Sequence, residues 1–258
     1  MLDIGITLKV PVVVRIDGKC FHSFTRGFKK PFDNILMTSM QKTMQALCEN
    51  IQGCVLGYTQ SDEISLVLID YQTKETAAWF DYRIQKCASV AASKATKYFN
   101  KFFGEAVDEY YDNYMEAWNV SKEDKKYVDT LLKAKDIGAE FDARIYNVPK
   151  EEIANYLFWR QDDATRNSIQ MLGRAYFSDK EMHKKSNNQV QDMLMVQHGI
   201  NWNNLPIPQK RGTCCIREDV VMKDKDENEF IRKKWKIDKS IPIFTGTDRE
   251  YIEKHIFI

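Results

Sequence analysis

Two acidic positions in this sequence could bind a divalent cation together. Asp17 follows the apolar run Val12–Ile16 in the stretch VVVRIDGKCF, and Asp62 lies in the polar turn Thr59–Glu63 between two further apolar runs. An acid at the end of a buried strand is either a turn residue or a ligand, because Asp-Gly and Ser-Asp-Glu are common turn sequences. Spacing alone leaves both interpretations open.

The chemistry expected of such a pair is phosphoryl transfer assisted by two metal ions. Two carboxylates on one sheet face repel each other in a low dielectric, and Mg²⁺ relieves that repulsion. Ions about 3.5–4 Å apart activate an attacking oxygen and stabilise a leaving one. Gly18 allows close approach of the backbone, so its carbonyl can also face a metal. Neighbours on a strand point to opposite faces, so if Asp62 binds metal we expect Glu63 to support the catalytic site rather than bind the ion.

The elements that must position these acids follow from hydrophobic periodicity. Val12–Ile16 reads as a strand buried on both faces, and apolar residues from Leu36 to Ile51 recur at helical spacing after an N-cap at Asp33 or Asn34. The pattern then predicts strands near Val55–Tyr58 and Ile64–Ile69, a helix from about Lys74 to Phe103, a helical segment over 104–136, a strand in FDARIYNVP, helices over about Lys150–Arg160 and Asp163–Phe177, and strands in GTCCIRE and EFIRKKWKI.

The order strand, helix, strand, strand, helix, strand is the split βαβ pattern. We therefore predict an α+β fold with a palm-like, ferredoxin-like antiparallel sheet, as in several polymerases and cyclases. Helices should cover one face and leave the other for a site. The expected division is a catalytic core over 1–148, with a helical insertion at about 104–136, and an added C-terminal helical and hairpin region over 149–258.

Composition limits the classes of partner. The 258 residues are 43% hydrophobic and carry a net charge of +1, so a nucleic acid would have to be bound by a local basic patch. The sequence has no apolar run of about 18 residues and no signal-peptide pattern at its start, so we expect no membrane association. Six cysteines without a C-x-x-C pair predict reduced thiols in a cytoplasmic protein and argue against a zinc site.

Six blocks in this order resemble one known family. They are RIDGKCFHSF, FKKPFD, YTQSDEISLVL, FDARIYNVP, FWRQDDA and HGINWNNLPIPQKRG, and they span about Val12 to Gly212. The chain is similar to tRNA(His) guanylyltransferases, and most like their bacterial and archaeal relatives. These enzymes resemble reversed polymerases that add nucleotides to RNA 5′ ends. The ordered set is more specific than any single block and favours the metal interpretation of Asp17 and Asp62.

The resemblance implies roles for individual residues. Asp17 and Asp62 would hold two Mg²⁺ ions with the Gly18 carbonyl, and Glu63 matches the acid after the second ligand. The nucleotide-binding positions implied are Ser61, His22 for base stacking, Lys30 and Asp33 for the nucleotide pocket, and Arg83 and Lys86 for the triphosphate. Lys184, Lys185, Lys210 and Arg211 are separate candidates for contacts to RNA phosphates, chosen for their charge.

The implied reaction uses ATP or GTP to activate the RNA 5′ end, followed by attack of a nucleoside triphosphate 3′-hydroxyl. One departure bears on the substrate. Where the eukaryotic enzymes have a His-Ile-Asn-Asn motif, this chain has DATRNSIQML, with Ala164 at about the histidine position and Asn167 as the remaining similarity. This favours templated repair of tRNA 5′ ends over non-templated guanylate addition to tRNA(His). The relatives also imply a homo-oligomer, a dimer or a tetramer.

Three alternatives stay open from the sequence. The chain could be a tRNA(His) guanylyltransferase proper, a non-catalytic RNA-binding protein that keeps the fold, or a palm-fold nucleotide cyclase or oligonucleotide synthetase. Retention of both acids counts against the non-catalytic alternative. Products formed from nucleotide alone, without RNA, would indicate the cyclase or synthetase.

Overall fold

The computed structural model describes residues 5–116, 121–223 and 229–257, which form a mixed α+β fold around one antiparallel sheet. Apolar, β-branched runs form its central strands because these side chains pack well on a pleated surface. The strands are β1 Val12–Lys19, β2 Cys54–Gln60, β3 Glu63–Leu68, β4 Glu140–Asn147, β5 Thr213–Lys223 and β6 Glu229–Asp238.

Helices of very different length surround the sheet. They are α1 Phe21–Phe24, α2 Asn34–Asn50, α3 Ile84–Glu116, α4 Lys122–Ile137, α5 Ile153–Tyr176, α6 Asp179–Met182, α7 Asn187–His198, α8 Ile207–Arg211 and α9 Glu250–Glu253. Short 3₁₀ turns lie at Trp79–Tyr82, Lys150–Glu152, Trp202–Asn204 and Gly246–Arg249. No helix of the described ranges is long and apolar enough to cross a membrane.

The strand order β4-β1-β3-β2-β5-β6 confirms the predicted topology. The first four strands follow the split βαβ arrangement, with β1 between β3 and β4 and antiparallel to both. The hairpin of β5 and β6 extends the sheet from β2. The end of β1 and the turn between β2 and β3 therefore meet at one edge of the sheet, as the two acids require.

One face of the sheet packs against α2 and α3, as predicted. Val12, Val14 and Ile16 of β1 point to this face and join one buried apolar cluster with residues of both helices. Asp33 caps α2, because its Oδ1 accepts hydrogen bonds from the backbone N–H groups of Ile35 and Leu36 at 3.0 and 3.1 Å. This confirms the predicted helix start.

The opposite face is partly covered by the C-terminal region. Val13 of β1 and Val67 of β3 point to this face and pack in a second cluster with Leu157 of α5 and with Phe244 and Ile252. The prediction that helices cover one face alone is therefore wrong, because the C-terminal region packs on the second face as well. The sheet and the C-terminal helices share this core, and the division into units at residue 148 stays a prediction.

Two predicted helix boundaries are wrong. The expected start of α3 at Lys74 fails because Phe80, Asp81 and Tyr82 have φ angles of 51°, 52° and 49°, which interrupt a helix, and α3 begins at Ile84. The two helices predicted over Lys150–Arg160 and Asp163–Phe177 are one helix, α5. The polar middle of α5 interrupts the apolar pattern of the sequence, because Gln161 there is buried through hydrogen bonds to the backbone of Pro242 and Phe244.

The segment predicted as a helical insertion contains the last turns of α3, which ends at Glu116, and the helix α4. Tyr127 and Leu131 of α4 pack into the main core cluster, and the Lys135 ammonium pairs with Asp108 of α3. Residues 117–120, including Trp118, and residues 224–228 between β5 and β6 lie outside the described residues.

Candidate active site

The strand pairing decides which acids share a face. Asp17 is the register partner of Glu63 in the antiparallel β1–β3 pair, so their side chains lie on the same face. Asp62 lies one residue earlier, in the tight turn, where Ser61 has a φ of 49°. The Gly18 N–H donates a hydrogen bond to the Asp62 carbonyl oxygen at 3.1 Å, which joins the turn to the end of β1. All three acids therefore lie at one edge of the sheet.

The two predicted metal ligands influence each other electrostatically. Burial raises the pKa of the Asp62 carboxyl, and the negative charge of Asp17 raises it further. The hydrogen bond that the Ser61 hydroxyl donates to Asp62 Oδ1 at 2.9 Å acts in the opposite direction. Two carboxylates that disfavour each other's charge form an attractive site for a cation.

Glu63 belongs to a different set of contacts. Its side chain is only 6% exposed, and Oε2 accepts from Arg15 Nη2 at 2.6 Å and from Arg160 Nη1 at 3.4 Å. Burial raises the pKa of Glu63, and the charges of Arg160 and Arg15 oppose that shift. Because Glu63 bonds to two arginines, it joins β3 to β1 and α5, and its catalytic role stays a prediction.

The arginines are functional candidates that sequence analysis missed. Arg15 Nη2 also lies 3.5 Å from Asp17 Oδ2, so one guanidinium bridges Asp17 and Glu63. Strand alternation places Arg15 on the same face as Asp17, and that signal could have identified it. Arg160 also pairs with Asp163 at 3.0 Å, and no local pattern shows that α5 passes over Glu63.

Gly18 is required by close packing. A Cβ built on Gly18 would lie 2.3 Å from the Phe21 ring, well inside contact distance. The chain therefore turns from β1 into α1 directly behind Asp17. His22, on α1, is exposed, and Lys30 is exposed before the start of α2. Their predicted contacts with a nucleotide stay predictions.

Asp33 has a full set of protein partners. Besides capping α2, its Oδ2 accepts from the Lys29 N–H at 3.0 Å and from the Tyr127 hydroxyl at 2.6 Å. Asp33 is buried, with 6% of the residue exposed. Its position lines a cavity beside the site, but the carboxylate holds α2 and α4 together, so the structure supports a structural role first.

Arg83 and Lys86 lie at the start of α3, Arg83 directly before it and Lys86 in its first turn. Arg83 forms an isolated bridge with Gly5 and its Nε donates to the Phe80 carbonyl at 3.3 Å, and Lys86 Nζ lies 5.4 Å from the centre of the Phe80 ring. Farther along α3, Phe99 packs against Phe21, which follows the end of β1. The predicted contacts of Arg83 and Lys86 with a triphosphate stay predictions.

The candidate RNA contacts fall into two places. Lys184 and Lys185 are exposed between α6 and α7. Lys210 and Arg211 end α8, where Lys210 Nζ donates to the Asn203 carbonyl at 2.6 Å and the Arg211 carbonyl accepts from the Tyr58 hydroxyl at 2.8 Å. The second pair lines a cavity that also borders Ser61, so it is next to the candidate site.

The donor chemistry of the site is oxygen only. The described ranges contain no group of three or more His, Cys, Asp or Glu side chains placed to hold a metal. All six cysteines are free thiols, and burial raises the pKa of Cys48 and Cys214 well above the usual value. These two buried thiols are therefore unsuited to act as a nucleophile or a metal ligand.

Comparison with known proteins identifies the family. Residues 2–149 match the family model described as tRNAHis guanylyltransferase (Thg1). The chain belongs to the tRNAHis guanylyltransferase family. Members of this family are nucleotidyltransferases that add nucleotides in the 3′-to-5′ direction to tRNA 5′ ends. The resemblance inferred from the six sequence blocks is thus confirmed, and so is the enzyme class.

Several relatives of this family cover most of the chain. A probable tRNA(His) guanylyltransferase of Drosophila melanogaster is 29% identical over 89% of this chain and 74% of its own length. A bacterial tRNA(His) guanylyltransferase-like protein solved with ATP is 37% identical, covers 99% of this chain and 94% of its own, and has a TM-score of 0.78. A bacterial tRNA(His) guanylyltransferase-like protein solved with GTP is 35% identical, covers 99% of this chain and 94% of its own, and has a TM-score of 0.75.

Proposed function

We propose that this chain is a Mg²⁺-dependent 3′-to-5′ nucleotidyltransferase that extends the 5′ end of tRNA or a tRNA-like RNA. The observation that carries the proposal is the meeting of Asp17 and Asp62 at one sheet edge, joined by the Gly18–Asp62 hydrogen bond, in a member of this family. The ATP and GTP bound to the bacterial relatives support nucleoside triphosphates as substrates.

The donor set fits magnesium. Two carboxylates and a backbone carbonyl are oxygen donors of the kind Mg²⁺ prefers, with water and substrate phosphates completing the shell. The charge of Asp17 disfavours ionisation of Asp62, and this is the electrostatic condition that a divalent cation relieves. When bound, such ions lower the charge on the phosphates and on the attacking oxygen. Asp17, Asp62 and the Gly18 carbonyl would hold them.

The proposed reaction has two displacements at phosphorus. In the first, the RNA 5′-monophosphate oxygen attacks the α-phosphate of ATP or GTP, and pyrophosphate leaves. In the second, the 3′-hydroxyl of an incoming nucleoside triphosphate attacks the activated 5′-phosphate, the nucleoside monophosphate leaves, and the hydroxyl proton passes to solvent. An RNA with a 5′-triphosphate needs only the second step, with pyrophosphate leaving. Positioning and charge neutralisation supply most of the rate enhancement.

The protein groups around the acids hold this geometry. Arg15 bridges Asp17 and Glu63, and Arg160 fixes Glu63 from α5, so the end of β1 is held at both sides. His22, Lys30 and Ser61 border the same edge and are proposed to contact the nucleotide. Arg83 and Lys86, at the start of α3, are proposed to bind the triphosphate.

The proposed substrate is a 5′-truncated tRNA repaired by templated addition. Residue 164 is a buried alanine, so this position has no imidazole where the eukaryotic motif has a histidine. The alternative is non-templated guanylate addition to tRNA(His). We also propose that the chain forms a homo-oligomer, either a dimer or a tetramer, and that its location is cytoplasmic. Light scattering after gel filtration measures the first, and fractionation of the source cells the second.

An extension assay tests the proposal. A 5′-truncated, labelled tRNA is incubated with ATP, the four nucleoside triphosphates and Mg²⁺, beside full-length tRNA(His) lacking its extra guanylate. Extension of the truncated RNA that depends on the template, and that Asp17→Ala abolishes, is the expected result. Extension of tRNA(His) alone would indicate the alternative. No extension of either RNA, or full extension by Asp17→Ala, would reject the proposal.

A further inference from the structure

Two open grooves meet on the solvent side of α4. The first, of about 580 Å³, lies between the end of β1, α1, the second half of α4 and the start of β4, and the second, of about 370 Å³, lies along α4 itself. They share Thr130 and Lys133, so they form one continuous surface. The basic residues that line it, which we call the α4 basic surface, are Lys19, Arg26, Lys122, Lys125, Lys126 and Lys133.

The lysines of α4 are presented on a rigid element. Lys122, Lys126 and Lys133 follow each other at helical spacing and share the exposed face of α4. Tyr127 and Leu131, on the opposite face, are buried in the main core cluster. Because the core holds α4 in place, the row of lysines has a fixed position relative to the sheet.

The cations of this surface have few acidic partners. Within the described ranges, its arginine and its α4 lysines form no ion pair, whereas Lys135, on another side of the same helix, pairs with Asp108 of α3. The acids that line the grooves are Asp129 and Glu140, and Glu140 is already paired with Lys19 at 2.6 Å. The surface therefore has an excess of positive charge that would attract an anion.

The α4 basic surface begins beside the candidate active site. Lys19 follows Asp17 by two residues on β1, which is about 7 Å along the strand. Glu140, the first residue of β4, is the register partner of Lys19, and α4 ends shortly before it. The end of α4 that carries Lys133 is therefore the end nearer to Asp17, and from there to Lys122 the helix extends the surface by about 16 Å.

The length and the charge of this surface fit a nucleic-acid backbone. One strand of a duplex carries a phosphate about every 3.4 Å along the axis, so 16 Å of helix faces about five phosphates. Lysine ammonium groups bind phosphates as point charges and do not read the bases. A membrane is a poorer fit, because an interfacial helix needs an apolar side that can enter the lipid, and that side of α4 is packed in the core.

We propose that the α4 basic surface binds the phosphate backbone of the RNA whose 5′ end is extended at Asp17 and Asp62. The proposal rests on the proposed function, because it assigns the body of that RNA to a place on the chain. It also gives a role to the segment that the sequence predicts as an insertion, since α4 adds a rigid row of cations beside the sheet edge. Because these contacts involve phosphates alone, they strengthen the binding of RNA without selecting its sequence.

Salt-dependent binding of the full chain to RNA tests the proposal. The probe is a labelled 5′-truncated tRNA, titrated with protein at several potassium chloride concentrations and constant Mg²⁺. The α4 variant combines Lys122→Gln, Lys126→Gln and Lys133→Gln, all at exposed positions where glutamine keeps the helix propensity. The control variant combines Lys42→Gln, Lys74→Gln and Lys239→Gln, which removes the same charge from exposed lysines of α2 and of two loops.

The expected result is a weaker and less salt-dependent complex in the α4 variant alone. Each lost phosphate contact lowers the slope of log affinity against log salt concentration by about 0.7–0.9, so the slope should fall by about 2–3. Affinity at low salt should fall about tenfold or more, whereas the control variant keeps the wild-type slope and affinity. In extension assays the KM for RNA should rise, with kcat at saturating RNA and the KM for GTP unchanged.

Three results would overturn the proposal. The first is an α4 variant with the affinity and slope of the wild type, and the second is an equal loss in both variants, which would attribute the loss to net charge. The third comes from sedimentation with vesicles of phosphatidylcholine and phosphatidylserine in equal amounts. Vesicle binding that the α4 variant loses, with RNA binding retained, would assign the surface to a membrane.

These failures are distinct from failure of the proposed function. A wild-type protein that extends no RNA rejects the enzyme, yet RNA binding that the α4 variant alone loses would still support this surface. An α4 variant that binds and extends RNA like the wild type rejects the surface alone.

Discussion

Asp17 and Glu63 face each other directly across the β1–β3 pair, and the guanidinium of Arg15 lies between them, 3.5 Å from Asp17 and 2.6 Å from Glu63. Asp17 therefore lies beside a cation of the protein, and the residue after it, Gly18, is hydrogen-bonded to the backbone of Asp62. This arrangement separates the acids into two classes. Glu63 has two arginine partners, and Asp17 with Asp62 is the pair that we propose holds a metal.

Removing the Glu63 charge should destabilise the fold. Glu63→Gln leaves Arg15 and Arg160 without their shared partner in a largely buried place, and breaking a buried pair from one side costs about 3–5 kcal/mol. Because both arginines keep some contact with water, we expect about 2–4 kcal/mol in the free energy of unfolding by urea. Glu140→Gln is the control, since the Lys19–Glu140 pair on the same sheet is fully exposed. Equal losses in both variants would contradict this role of Glu63.

Asp62 should make the metal-free protein less stable as pH rises. Burial and the charge of Asp17 raise its pKa in the folded state, so the folded protein holds that proton more tightly than the unfolded chain. The stability from this proton is present below the usual carboxyl pKa and is lost as pH rises through the folded-state value. With a chelator present, Asp62→Asn should therefore gain stability over the wild type from pH 4 to pH 7. Urea unfolding of both proteins at pH 4 and at pH 7 measures the difference in unfolding free energy. A difference that is the same at the two pH values would contradict the account.

Gly212 should be essential for joining α8 to β5. It has a φ of +84°, and an added Cβ would lie 2.5 Å from the Thr59 carbonyl oxygen. Gly212→Ala should cost about 3 kcal/mol or more, since backbone strain of about 1–3 kcal/mol adds to the clash. Gly199 has a φ of +66° with nothing within 4 Å, so Gly199→Ala measures strain alone, at about 1–2 kcal/mol. Thermal unfolding of both variants gives the difference, and equal losses would show that the clash relaxes.

Much of the sheet could be predicted because local patterns and long-range pairing agree. The apolar run of β1, the turn at Asp62 and the N-cap at Asp33 each have a local signature, and the order of elements restricts the topology. What failed depends on contacts distant in sequence. Gln161 looked like part of a break between helices, but its amide bonds to the backbone of Pro242 and Phe244 inside the fold.

The site was predicted in part for the same reason. The resemblance indicates which residues matter but not where they lie, so the roles of Arg83 and Lys86 stay predictions. Arg160 reaches Glu63 only because α5 crosses the second face of the sheet, and periodicity cannot show that crossing. The α4 basic surface arises likewise from elements that are far apart in the sequence.

The most direct measurement is the melting temperature with Mg²⁺ and GTP together and separately. A ligand at a hundred times its dissociation constant stabilises the native state by about 2.7 kcal/mol. We predict that the wild type gains about 5–10 °C with both ligands over either alone. Asp17→Asn and Asp62→Asn should lose this gain, whereas Asp112→Asn, exposed on α3, keeps it. A wild type without the joint gain, or an Asp62→Asn variant that retains all of it, would contradict the metal site.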